Sequence, residues 1–92
     1  MNVEVAIVVS TPPLKQDIDG LKHAASALTN NQKSIKVKTL TADDRFSLIT
    51  RFTMRTAAQY KVVEAISSEF KFWTFDLQGY QDMSISFPKS TG

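Results

Sequence analysis

Apolar and polar positions alternate strictly at the start of the chain. Val3, Val5, Ile7 and Val9 fall on one side of an extended segment, with Glu4, Ala6 and Val8 on the other. A period of two predicts a β-strand over residues 3–9. Its second side is partly apolar too, which marks a central strand. Pro12 and Pro13 end it, because proline has no N–H to give to a ladder, and Pro13 suits the first turn of a helix. From there the spacing changes to 4, 3, 4 and 3 through Leu14, Ile18, Leu21, Ala25 and Leu28, the repeat of an amphipathic helix. Gly20 costs this helix about 1 kcal/mol relative to alanine, so it marks either a close neighbour or a tolerated weakness. Asn30 and Asn31 mark its end.

Alternation returns at residues 34–41, with Ile35 and Val37 opposite in sense to Lys36 and Lys38. A polar turn at 42–45 leads into a second alternating run, in which Phe46, Leu48, Phe52 and Met54 oppose Ser47, Arg51, Thr53 and Arg55. A hairpin with a four-residue turn pairs Thr41 with Phe46, Val37 with Thr50 and Ile35 with Phe52. That register gathers the large apolar residues, Leu40 and Ile49 excepted, on one face. Thr56 is then placed to cap a second helix from Ala57 to about Glu69, with Val62, Val63 and Ile66 sharing a face with Phe70. Residues 70–78 read two ways. Trp73, Phe75 and Leu77 alternate with Phe72, Thr74 and Asp76, as in a strand, yet Phe70 and Trp73 also extend the helical face begun at Ile66. The strand is the preferred reading. A turn at 79–82 and a last short strand through Met83, Ile85 and Phe87, ended by Pro88, complete the chain, with residues 89–92 expected to fray.

The order βαββαβ, with an extra C-terminal strand, predicts one α+β domain over residues 1–92. It is a two-layer sandwich of ferredoxin-like order, with both helices on one face of a mainly antiparallel sheet. Such a plan hosts enzymes, sensors, nucleic-acid binders and interaction domains alike, so it does not select a function.

Composition narrows the chemistry. With 92 residues the chain can build one core and not two. Its longest apolar run, Val5 to Val9, falls far short of the roughly 20 residues a membrane span needs. Glu4 stands where a secretory signal would carry basic residues, so a cytoplasmic protein is expected. There is no cysteine, which removes disulfides, thiolate catalysis and thiolate-bound metals. The one histidine, His23, lies on the helix face opposite the apolar stripe and is expected in solvent. No metal site, cofactor site or catalytic set emerges. The strand-to-helix loop Ser10-Thr11-Pro12-Pro13 lacks the glycines of a phosphate-cradling loop and has lost two N–H donors to proline, though Thr11 before proline has the form of a phosphorylation site. Glu4 is the one acidic residue on an inner strand, and an open sheet face is the expectation for it.

Charge is unevenly placed although the net value is +2. Residues 33–61 carry a local balance of +5 and residues 62–82 one of −3. In the hairpin register Lys36 opposes Arg51, and Lys38 and Arg55 share their outward face, so four cations are expected on the sheet surface away from the helices. Like charges so placed cost stability, which an anionic partner would relieve; they also guard an exposed strand from edge pairing. A second candidate surface is aromatic, with Phe72, Trp73 and Tyr80 as anchors for a partner protein or a second copy of the chain. These features favour a non-catalytic interaction or regulatory module that binds a protein or itself. The alternative is a nucleic-acid binder using the basic face, weakened by the inward direction of Phe46 and Phe52, which leaves few rings on which bases could stack. A further alternative is a small-molecule or enzymatic domain with its pocket at a subunit interface.

Overall fold

In the computed structural model, which describes residues 1–56, 58–75 and 77–89 without the side chains of Phe72 and Phe75, the alternating start of the chain forms β1 (Asn2–Val9). Every second residue of β1 is buried, from Val3 to Val9. α1 (Lys15–Leu28) follows, then a short 3-10 turn at Gln32–Ser34, β2 (Lys36–Ala42), β3 (Arg45–Thr53), α2 (Gln59–Phe75) and β4 (Tyr80–Ser86). The strands make one antiparallel sheet in the order β2-β3-β1-β4, which places the doubly apolar β1 in the interior, as its pattern demands. The result is a two-layer α+β sandwich. α1 packs on α2 and on β3, and α2 also meets β4. The core between the layers is built from Val3, Val5, Ile7, Leu21, Leu48, Phe52, Val62, Ile66 and Phe70, with further apolar side chains around them. Among the described residues no helix is long and apolar enough to cross a membrane.

The hairpin has the expected register: Lys36 faces Arg51, Val37 faces Thr50 and Thr41 faces Phe46. Its turn is tighter than expected, because Ala42 and Arg45 also pair and only Asp43 and Asp44 remain to reverse the chain. Asp43 manages this by taking a left-handed backbone, φ 54°, a conformation that short Asn and Asp side chains tolerate better than most.

Several expectations are corrected. Residues 70–75 belong to α2 and are not a strand, so the described sheet has four strands and no additional one. Burial explains why: Val62, Ile66 and Phe70 are fully buried and Thr74 nearly so, one every fourth residue, and this helical face outweighs the local alternation of the aromatics. The last strand accordingly starts earlier than expected, at Tyr80, after a turn in which Gly79 has φ 78°. The second helix begins at Gln59, where Ala58 O accepts from Lys61 N and Val62 N, and Val63 is turned outward. Leu14, finally, is 55% exposed. It has an extended backbone at the helix start, so it leaves the stripe that Ile18, Leu21, Ala25 and Leu28 continue; its N–H donates to Asp17 Oδ2 at 2.8 Å. Of the tail expected to fray, residues 90–92 lie outside the described residues, as does Ala57 at the expected start of the second helix.

Gly20 proves to have a close neighbour. A Cβ built there would fall against the Trp73 indole, with Cδ1 at 2.8 Å, so the glycine lets the two helices seat this ring. At the far end of α1 a hydroxyl cluster ties the helix to the sheet: Thr29 Oγ1 donates to Thr53 O at 2.6 Å and Ser34 Oγ to Asn31 O at 2.7 Å, while Thr53 N donates to Ser34 Oγ at 3.1 Å.

One buried polar group has no partner. Thr50, opposite Val5 and Val37 in the ladder, is fully buried and its Oγ1 makes no hydrogen bond. A hydroxyl removed from water without compensation costs about 1–3 kcal/mol. Thr50→Val should therefore raise stability by about 1 kcal/mol, read as a higher urea midpoint at unchanged slope; a lower midpoint would show that the hydroxyl is paired in solution.

Candidate functional site

Because both helices lie on one side, the other face of the sheet is uncovered, and the register lays its residues out in rows. The first row runs Lys36, Arg51, Glu4, Ser86 from the β2 edge to the β4 edge. The second runs Lys38, Ile49, Ala6, Ser84, and the third Leu40, Ser47, Val8, Asp82. The middle of the face is thus a small apolar strip made by Ala6, Val8 and Ile49, which Leu40, 49% exposed, extends to the β2 edge. Cations line the β2 edge, and the β4 edge is neutral to acidic.

Arg51 is not left to repel Lys36 alone. Its Nε donates to Glu4 Oε1 at 2.6 Å, and Ser86 Oγ donates to the other oxygen of the same carboxylate at 3.3 Å. The face is open, as expected for Glu4, and the carboxylate spends its charge on the β3 arginine beside it. This pair was legible in principle. Glu4 and Arg51 both point outward, and they become neighbours as soon as β1 is placed beside β3.

Lys36, Lys38 and Arg51 come together as the hairpin pattern implies. Arg55 stands apart from the rows: it follows the end of β3 by two residues and is exposed in a bend. The aromatic residues do not join the basic ones. Trp73 is half-buried, its ring tilted 59° to that of Phe70 with centroids 6.4 Å apart. Tyr80 is exposed and pairs with Val9, at the end of β4 diagonally across the sheet from Lys36. The Phe72 side chain lies outside the described residues.

The β1–α1 loop is fastened to the turn before β4. Ser10 N donates to Gly79 O at 2.9 Å and Thr11 Oγ1 to Gln78 O at 3.2 Å, so the Thr11 hydroxyl serves the fold. His23 is exposed, and among the described residues no three potential metal-ligating side chains come together.

At the end of the sheet near Asn2, a cleft of about 370 Å³ is lined by Asn2, Lys36, Arg51, Thr53, Pro88 and Lys89, among others. Pro88 figures in the sequence only as the end of a strand and Lys89 only as part of a tail expected to fray, because nothing periodic ties them to a site; the fold brings both to the cleft beside Lys36. No family model matches the chain, and no curated protein or solved structure matches it either.

Proposed function

We propose that the protein is a non-catalytic interaction module, cytoplasmic in setting, whose working surface is the uncovered face of the sheet and whose occupant is another polypeptide, either a protein partner or a second copy of the chain. The observation that carries this reading is the layout of that face, an apolar strip (Leu40, Ile49, Ala6, Val8) between charged and polar margins. Protein interfaces share this anatomy of an apolar centre and a polar rim. The margins also favour self-recognition. A two-fold axis parallel to the strands would stack β2 of one copy on β4 of the other, setting Lys36 and Lys38 over the uncharged Ser86 and Ser84 and away from one another, whereas an axis across the strands would set lysine against lysine.

Sedimentation equilibrium over a rising protein concentration tests the copy, and capture from cell extract, compared between wild type and Ile49→Asp, tests the partner. Ile49 is half-exposed on the open face, so the substitution leaves the core intact. Buried charge at an interface centre costs several kcal/mol, so the expected result is a loss of association by about a hundredfold or more. A monomeric wild type together with identical capture by both proteins would remove the open face from consideration.

The second reading, nucleic-acid binding through Lys36, Lys38 and Arg51, draws on the two cations of β2 and the one beside them on β3. It ranks lower because the three rows contain no aromatic ring on which a base could stack. Binding of short labelled RNA or DNA that is strong at about 50 mM salt and collapses at about 200 mM would promote it.

A further inference from the structure

We infer that the cleft at the sheet end binds a small dianion of the phosphate class, with Lys36, Arg51 and Lys89 as its ligands. Three cations from three separate stretches of the chain line this one cleft. Glu4 offsets one of them, and the only ion pair among the described residues is the one it makes with Arg51, so among those residues no carboxylate pairs with Lys36 or Lys89. A volume of about 370 Å³ lies in the range of small-molecule sites, about 300–1,000 Å³.

The donors are partly arranged in advance. Guanidinium carries five N–H groups in a rigid fork. Glu4 takes the one on Nε, and Ser86 steadies that carboxylate, so the arginine plane is held while its terminal nitrogens remain available. A planar fork of this kind matches two oxygens of a phosphate, and flanking ammonium groups supply point charges. The nearby hydroxyls of Ser34 and Thr53 are already committed, to Asn31 O and Asn30 Oδ1 respectively, which leaves the Asn2 amide as the neutral donor at the cleft. The like-charge opposition of Lys36 and Arg51, unfavourable in the empty site, becomes favourable when one anion sits between them.

This inference is independent of the polypeptide reading above, and its test separates the two. The full chain, labelled with ¹⁵N, is titrated with inorganic phosphate, with adenosine monophosphate and with adenosine while amide shifts are followed. Saturable shifts confined to Asn2, Lys36, Arg51 to Thr53 and Lys89 are expected with the two phosphates and none with the nucleoside. Tighter binding of the monophosphate would assign an ester as the ligand, and equal binding the bare anion. Lys36→Gln and Lys89→Gln should each weaken binding by about three- to tenfold, and Arg51→Lys, which keeps the charge but loses the fork, by a similar factor. Lys38→Gln and Arg55→Gln, outside the cleft, should change it by less than about twofold. All five variants are of exposed side chains, and their unfolding curves report whether the fold is kept. Absence of saturation at millimolar phosphate and monophosphate, or equal weakening by all five substitutions, would overturn the assignment.

Discussion

Phe70→Ala should lower the free energy of unfolding by about 3–5 kcal/mol, the usual cost of emptying a large buried aromatic site. Phe70 is fully buried at the point where the third buried turn of α2 meets the core, and its ring also supports Trp73. A domain of this size has roughly 5–15 kcal/mol in total, so the variant should be close to unfolding at physiological temperature, with urea denaturation showing a reduced midpoint. The value discriminates between arrangements. A strand at residues 70–77 would leave Phe70 at a helix end, and a loss below about 1 kcal/mol would fit that arrangement and contradict the observed one.

Gly20→Ala should have the opposite sign to the one helix propensity assigns. Alanine is favoured over glycine in a helix interior by about 1 kcal/mol, yet the added methyl collides with the indole of Trp73. Overpacking of this kind costs about 1–3 kcal/mol, and the upper part of that range applies here because the added methyl would overlap an indole that is itself half-buried beside Phe70. A net loss of about 1–2 kcal/mol is expected in the wild-type background. With Trp73→Ala already in place the obstacle is gone, and the same glycine substitution should become neutral or stabilising, so thermal or urea unfolding of the four proteins of the cycle should return a coupling of at least about 1 kcal/mol. A coupling near zero would show that the glycine answers to something other than the ring.

These two residues also show where sequence patterns reach and where they stop. The strict alternation of Val3 to Val9 and the paired alternations across Asp43-Asp44 leave one way to bury the apolar sides, so β1 and the hairpin register follow directly from residue order. The stretch from Phe70 to Phe75 is ambiguous locally because aromatics stand on both sides of any extended reading, and only the fourfold spacing back to Val62 resolves it. Leu14 illustrates the reverse: its spacing fits the stripe, but its backbone is extended at the helix start. The basic half of the candidate site was visible as outward lysines and arginines on the hairpin. Its organisation was not, because the partner of Arg51 lies on β1 and the third cation of the cleft on the segment beyond β4, and contacts at such sequence separation carry no periodic signal.

The central position of β1 has a bearing on biosynthesis. Its hydrogen-bonding neighbours are residues 46–53 on one side and 80–86 on the other, so the first strand made waits for the last strand made. During that interval Val3 to Val9 forms a short, β-prone, largely uncharged segment without proline, the kind that seeds intermolecular pairing. Topologies of such non-local pairing close slowly. Nascent chains that stall before residue 80 would therefore leave one side of the apolar strand without its ladder, a state prone to association with other unfinished chains.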